Sequence, residues 1–124
     1  MIKLGIMGAM KEEIEPLLSF FNDIKEINFG NNTYYEVNYK NMPIVIAYSK
    51  IGKVFSALTA STMIQKFGCN KILFSGVAGA LNPNFEIGDL ILATSLCQHD
   101  LDITAFGHEY GYVPEGKIFI KSNE

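Results

Sequence analysis

Two spacings of apolar residues alternate along the chain and divide it into strands and helices. Ile2 to Met7 is an apolar run interrupted by one charge, Lys3, and reads as a buried strand. Residues 10–22 place Ile14, Leu17, Leu18 and Phe21 at helical spacing, with Pro16 early enough to be tolerated or to bend the helix. Residues 33–40 alternate in strand fashion, Asn41 makes a turn, and Pro43 to Tyr48 is again apolar, a pattern that predicts an antiparallel hairpin. The stretch "VFSALTASTMIQKFG" spaces Val54, Leu58 and Ile64 among small Ala and Ser residues and stops at Gly68, as a helix does. Lys71 to Phe74 follows as a short strand, and the turn "NPNFEIGD" leads to a further strand at Asp89 to Thr94. Gln98 to Pro114 is polar, aromatic and glycine-containing, and long enough to be a functional loop.

Strand, helix and strand in that order, joined by a connection too long for a hairpin, make a βαβ unit. The expected class is therefore α/β, with a mixed, largely parallel twisted sheet flanked by helices. Three short segments fall where strands should end: Gly8-Ala9-Met10, Lys50-Ile51-Gly52 and Ser75-Gly76-Val77-Ala78-Gly79. Parallel strands would bring them to one sheet edge and one cleft, the place where α/β sheets bind ligands. Their small residues permit close backbone approach to a flat ligand. The complete GxxxxGK[ST] pattern of a phosphate loop does not occur: Gly111 to Lys117 has the spacing, but Ile118 stands where Ser or Thr is needed.

Composition narrows the partners. With 124 residues, 48% of them hydrophobic, the chain has enough for one core and reads as one soluble globular domain. The net charge is −3, and the ten basic residues are all Lys with no cluster among them, which argues against a nucleic-acid partner. The missing Arg also disfavours a phosphate-using mechanism, since Arg supplies the two-pronged donor geometry that phosphate favours. Cys69 and Cys97 lie far apart, and no charged segment with a long apolar run precedes the first strand. A reducing, cytoplasmic setting away from membranes is expected.

Of the acids near the sheet edge, Glu13 has two readings. A carboxylate there can orient or deprotonate a water molecule; equally, an acid in a first helical turn stabilises the unpaired N–H groups around it. Glu12 and Glu15 fit the second reading alone. His99, Asp100 and Asp102 suggest a metal site or proton relay, but with only His99 and His108 available no zinc or iron spacing is completed, and no metal is expected. Phe106, Tyr110 and Tyr112 fit either an exposed patch that meets another subunit or loop packing over the core. Cys69 lacks a His partner in sequence and is not expected to be a nucleophile.

Taken together, "GIMGAMKEEI", "SKIGKVFSALTAS", "FSGVAGAL", "IGDLILAT" and "HDLDITAFGHEYG" resemble, in order and spacing, the 5′-methylthioadenosine/S-adenosylhomocysteine nucleosidases of the nucleoside phosphorylase superfamily. The resemblance runs over nearly the whole chain. It implies hydrolysis of an N-glycosidic bond to release adenine, through an oxocarbenium-like transition state that requires a placed water and protonation of the departing purine. It makes Glu13 the acid that positions the water, with Ala9 and Met10 beside the water and the ribose. It makes Ile51 part of the apolar wall around the alkylthio tail. Val77, Ala78 and Gly79 match the segment under sugar and base; many relatives carry Ser at the position of Val77, so one polar contact is expected to be missing. Ile103, Phe106 and Pro114 resemble the loop that closes the neighbouring subunit's pocket, which implies a homodimer. No cofactor is implied.

Family members also carry a C-terminal half that supplies the Asp protonating the purine and a Met-Glu pair gripping the ribose. Asp89, Asp100 and Asp102 do not match that Asp. Residues 1–124 are thus expected to be the N-terminal portion of a single nucleosidase domain, inactive alone. Within the family, "YSKIGKV" and "LFSGVAG" look closest to members that also split aminofutalosine, a menaquinone precursor. The alternatives are a phosphorylase of the same fold, which would require phosphate, and a non-catalytic assembly fragment, which would bind no nucleoside.

Overall fold

A computed structural model describes residues 2–123. They form two compact units, divided between Gly79 and Ala80.

The first unit is built on β1 (Leu4–Gly8), α1 (Lys11–Leu18), β2 (Lys25–Phe29), β3 (Asn32–Tyr39), β4 (Met42–Tyr48), α2 (Lys53–Gln65) and β5 (Lys71–Phe74). The five strands make one mixed sheet in the order β2-β3-β4-β1-β5. β1 is parallel to both neighbours, pairing Gly8 with Tyr48 of β4 and Met7 with Phe74 of β5. β3 is antiparallel to β2 and to β4. The tips of β4, β1 and β5 therefore share one edge, as the sequence predicts.

The continuous apolar runs of β1 and β4 reflect coverage of both faces. Side chains alternate across a strand, so Met7, Val45 and Ala47 join Met63, Phe67 and Cys69 in one cluster. Ile6, Ile44 and Ile46 join Ile14 of α1 in the other, with Leu17, Leu18 and Phe21 packed against it. No helix of the described residues is long and apolar enough to cross a membrane.

α1 is shorter than its apolar spacing predicts, ending at Leu18 instead of residue 22. Pro16 lies inside it, the Ser19 hydroxyl donates to the Pro16 carbonyl at 2.6 Å, and the next two N–H groups bond three residues back in a tightened turn. Phe21 still reaches the core from outside the helix. β2 has no counterpart in the predicted elements: of its five residues only Ile27 is partly buried, so its hydrophobic pattern is faint.

The second unit, from Ala80 onward, contains β6 (Ser95–Leu96), a 3₁₀ turn (Thr104–Phe106) and β7 (Ile120–Lys121). The strand expected at Asp89 to Thr94 does not form; that stretch is irregular. A strand persists only where a neighbour completes its backbone hydrogen bonds, and here Ser95 and Leu96 pair with Lys121 and Ile120. Leu90 and Leu92 are left 91% and 83% exposed.

Candidate functional site

The join of β1 and α1 is organised by a single carboxylate. Met10 is the extended N-cap of α1 and Glu13 its third residue, so the Glu13 side chain can fold back on the N–H groups that the helix leaves unpaired. Its Oε2 accepts the Ala9 N–H at 2.7 Å and the Met10 N–H at 2.9 Å. Its Oε1 accepts the Val77 N–H, beyond the tip of β5, at 3.1 Å. One carboxylate thus ties two strand tips together. The same edge is laced by backbone bonds, with Ser49 N–H donating to Gly8 O at 2.8 Å and Ser75 N–H to Met7 O at 2.9 Å.

Hydrogen bonds to the charged form favour it. The Met10 N–H chief among them, and the Val77 and Ala9 N–H groups with it, hold the Glu13 carboxyl below the usual glutamate range against the opposing effect of desolvation. At neutral pH Glu13 is an anion with both oxygens fixed in direction. A carboxylate offers about four acceptor positions, and the three backbone donors leave Oε1 with room for one more.

Glycines make the space. A Cβ on Gly76 would sit 2.7 Å from Glu13 Oε1 and 3.0 Å from its Cδ. A Cβ on Gly8 would meet Ile14 at 3.0 Å, the Glu13 Cβ at 3.1 Å and the Ser75 carbonyl at 3.1 Å. The space these two glycines leave is occupied by the Glu13 side chain and its neighbours. Gly76 belongs to the cradle although sequence reasoning named it only as a small residue at a strand end.

Among the predicted site residues, Ala9, Met10, Glu13 and Val77 form one hydrogen-bonded group. Val77 contributes its backbone, while its side chain is 81% exposed. Ala78 and Gly79 continue from it in an irregular, exposed stretch. Ile51 belongs to the neighbouring tip, past β4, and is 75% exposed. It lies between two left-handed positions, Lys50 at φ 73° and Gly52 at φ 109°.

Ile103, Phe106 and Pro114 belong to the second unit. Ile103 precedes the 3₁₀ turn and Phe106 ends it, 82% exposed. Asp102 accepts the Thr104 N–H at 3.0 Å and its hydroxyl at 2.7 Å, bonds that hold its carboxyl below the usual range. Asp102 is therefore a turn residue. The Tyr110 hydroxyl donates to the His99 carbonyl at 2.7 Å within the same loop. In the first unit Cys69 is buried, and burial pushes its thiol up, away from the reactive thiolate.

Comparison with known proteins gives a consistent picture. Residues 3–122 match the profile of the phosphorylase superfamily. The chain is 60% identical over 124 residues to an aminodeoxyfutalosine nucleosidase of Campylobacter jejuni, covering 100% of this chain and 54% of that enzyme. The solved structure of a C. jejuni 5′-methylthioadenosine/S-adenosylhomocysteine nucleosidase superposes with a TM-score of 0.96 at 59% identity, covering 100% of this chain and 54% of that one. Futalosine hydrolase of Helicobacter pylori superposes with a TM-score of 0.96 at 51% identity, covering 99% and 53%. The chain spans about half the length of the relatives it matches.

Proposed function

Since the chain belongs to the phosphorylase superfamily, we propose that it is the N-terminal portion of a single-domain nucleosidase that hydrolyses the N-glycosidic bond of adenine nucleosides. The substrates in this reading are 5′-methylthioadenosine, S-adenosylhomocysteine and aminofutalosine-type nucleosides. The observation that carries it is the Glu13 carboxylate, ionised and aimed by three backbone N–H groups where the tips of β1 and β5 meet.

In the proposed reaction Glu13 holds a water at the anomeric carbon with its remaining acceptor position and takes up that water's proton as the C–O bond forms. The C–N bond breaks, and its electron pair leaves with the purine, which is protonated by an acid contributed from outside these residues. Ala9 and Met10 flank the water and ribose; Val77, Ala78 and Gly79 lie beneath sugar and base; Ile51 walls the 5′ substituent. Ile103, Phe106 and Pro114 close the site of a second subunit, making the enzyme a homodimer in a cytoplasmic setting. Large apolar side chains left exposed on α2 and β5, among them Val54, Leu58, Leu73 and Phe74, support a chain that continues over these faces.

A phosphorylase would need phosphate where Glu13 stands, and like charges at that distance repel. The test is adenine release from 5′-methylthioadenosine by the full-length protein in phosphate-free buffer. Release with formation of the free sugar is expected. A rate that depends on phosphate and yields a sugar phosphate would favour the phosphorylase, and no release in either buffer would refute both.

A further inference from the structure

The loop past β4 is held from a direction that neither the Glu13 cradle nor the resemblance explains. The β2–β3 hairpin turns through Gly30 and Asn31, both left-handed at φ 58° and 59°, and its tip reaches across to β4. Asn32 Nδ2 donates to the Tyr48 carbonyl at 3.0 Å and to the hydroxyl of buried Thr59 on α2 at 3.3 Å. Lys50 Nζ donates to the Asn31 carbonyl at 2.9 Å and lies 5.5 Å from the centroid of the Phe55 ring. Lys50 therefore spans from the hairpin turn to the first turn of α2, with Ile51 and Gly52 between its own backbone and that helix.

Its backbone conformation sharpens the point. Lys50 adopts φ 73°, a region disfavoured for a residue with a Cβ and kept only where the surroundings fix it. The surroundings here are its ammonium on the hairpin carbonyl, the Ser49 hydroxyl on the Lys50 carbonyl at 2.8 Å and the Ser49 N–H on Gly8 O. Among the described residues, those lining the polar recess of about 400 Å³ at this hairpin, which include Asn28, Asn31, Thr33 and Lys50, hold no acid to compete for the ammonium.

We propose that Lys50 is a positioning residue, and the Gly30–Asn32 hairpin tip a strut, which together fix the Ile51–Gly52 loop and so set how large a 5′ substituent the nucleoside site accepts. The specificity role rests on the reading of Ile51 as the wall of the 5′ side. The strut itself does not.

Three variants of the full-length protein test both parts. Lys50→Met keeps the aliphatic stem and removes the ammonium, Asn32→Ala removes both Nδ2 bonds, and Lys50→Arg keeps a donor able to reach the carbonyl. In Lys50→Met and Asn32→Ala, amide hydrogen exchange at Ser49 and Ser56, whose N–H groups donate to Gly8 O and Gly52 O on either side of the loop, should quicken about 3- to 10-fold, the worth of about one net hydrogen bond, while β1 and β5 stay protected. KM for 5′-methylthioadenosine should rise by about the same factor with kcat held within about twofold, and the preference between short and bulky 5′ substituents should narrow. Lys50→Arg should restore the parent values. Unchanged exchange would overturn the strut. Quickened exchange with KM unmoved, or moved equally for every substituent, would overturn the specificity role. A parent protein that cleaves no adenine nucleoside would refute the nucleosidase reading and the specificity role with it, and exchange alone would still decide the strut.

Discussion

Replacing Glu13 by Gln probes the cradle with the smallest change of shape. Gln has one acceptor oxygen where the carboxylate has two. Set at the Oε2 position it keeps the Ala9 and Met10 N–H groups as neutral partners, but its NH₂ then faces the Val77 N–H, donor against donor. Hydrogen bonds to a charged acceptor contribute about 1.5–3 kcal/mol and neutral ones about 0.5–1.5, so two weakened bonds and one lost bond sum to about 3.5–6 kcal/mol before solvent is counted. Glu13 is only half-buried, so water replaces more than half of that, and the net loss of stability should be about 1–3 kcal/mol. Catalysis should suffer more, because the variant cannot accept a proton from water: turnover in the full-length protein should fall about 10²- to 10⁴-fold. Adenine release gives the rate, equilibrium binding of a non-hydrolysed nucleoside analogue gives the affinity, and denaturant unfolding gives the stability. Near-parent affinity with collapsed turnover is expected. Turnover within about threefold of the parent would refute the role of Glu13, because loss of a general base is worth far more than that.

Three further outcomes follow from the same geometry. The Glu13 pKa is lowered on folding, so its contribution to stability is full above the ordinary glutamate value of about 4.3 and disappears as pH falls through the lowered folded value; the stability gap between parent and Glu13→Gln should close in acid, and a gap independent of pH would contradict the carboxylate as its source. Gly76→Ala puts a Cβ 2.7 Å from Glu13 Oε1, so the carboxylate must swing off the Val77 N–H; turnover should fall more than about tenfold, with about 1–3 kcal/mol lost in unfolding measurements, and parent-like turnover would show that the Oε1 contact is dispensable. In the proposed homodimer, Phe106→Ala, at a position 82% exposed, should weaken the substrate affinity of the full-length protein without lowering its unfolding midpoint; equal affinity would refute the placing of Phe106 in a partner's pocket.

The parts of the fold that could be read from the residues are those whose pattern is enforced by burial on both sides. β1 and β4 are continuous apolar runs because clusters lie on each of their faces. β2 has one partly buried side chain and no such pattern. The error at Asp89 to Thr94 is of the opposite kind: Leu90, Ile91 and Leu92 have strand composition, but pairing is a property of two segments, and only Ser95 and Leu96 find a partner. At the site, Glu13 was visible from its position after a strand, whereas its three donors are backbone N–H groups, which carry no mark of residue type. Lys50 was visible only as part of a loop, because its partner is the carbonyl of Asn31, another group that sequence does not advertise.

The two readings of Glu13, helix cap and water-holding base, predict different contacts. A first-turn acid that serves only its helix needs the N-cap N–H and little else. The Met10 N–H meets that need, and the Ala9 N–H just before it can be reached by the same bend of the side chain. The Val77 N–H cannot be explained so, because it comes from the tip of another strand, 64 residues along the chain. That third bond requires Gly76 to have no side chain and fixes Oε1 at the edge where β1 and β5 end. Glu15 shows what an acid without such demands does: it pairs with Lys11 at 3.0 Å on the exposed side of the same helix, where solvent screens the pair. Capping and the proposed water-holding role are therefore compatible at Glu13. The cap fixes one oxygen and the strand tip aims the other, and an anion so aimed is more than helix stability requires.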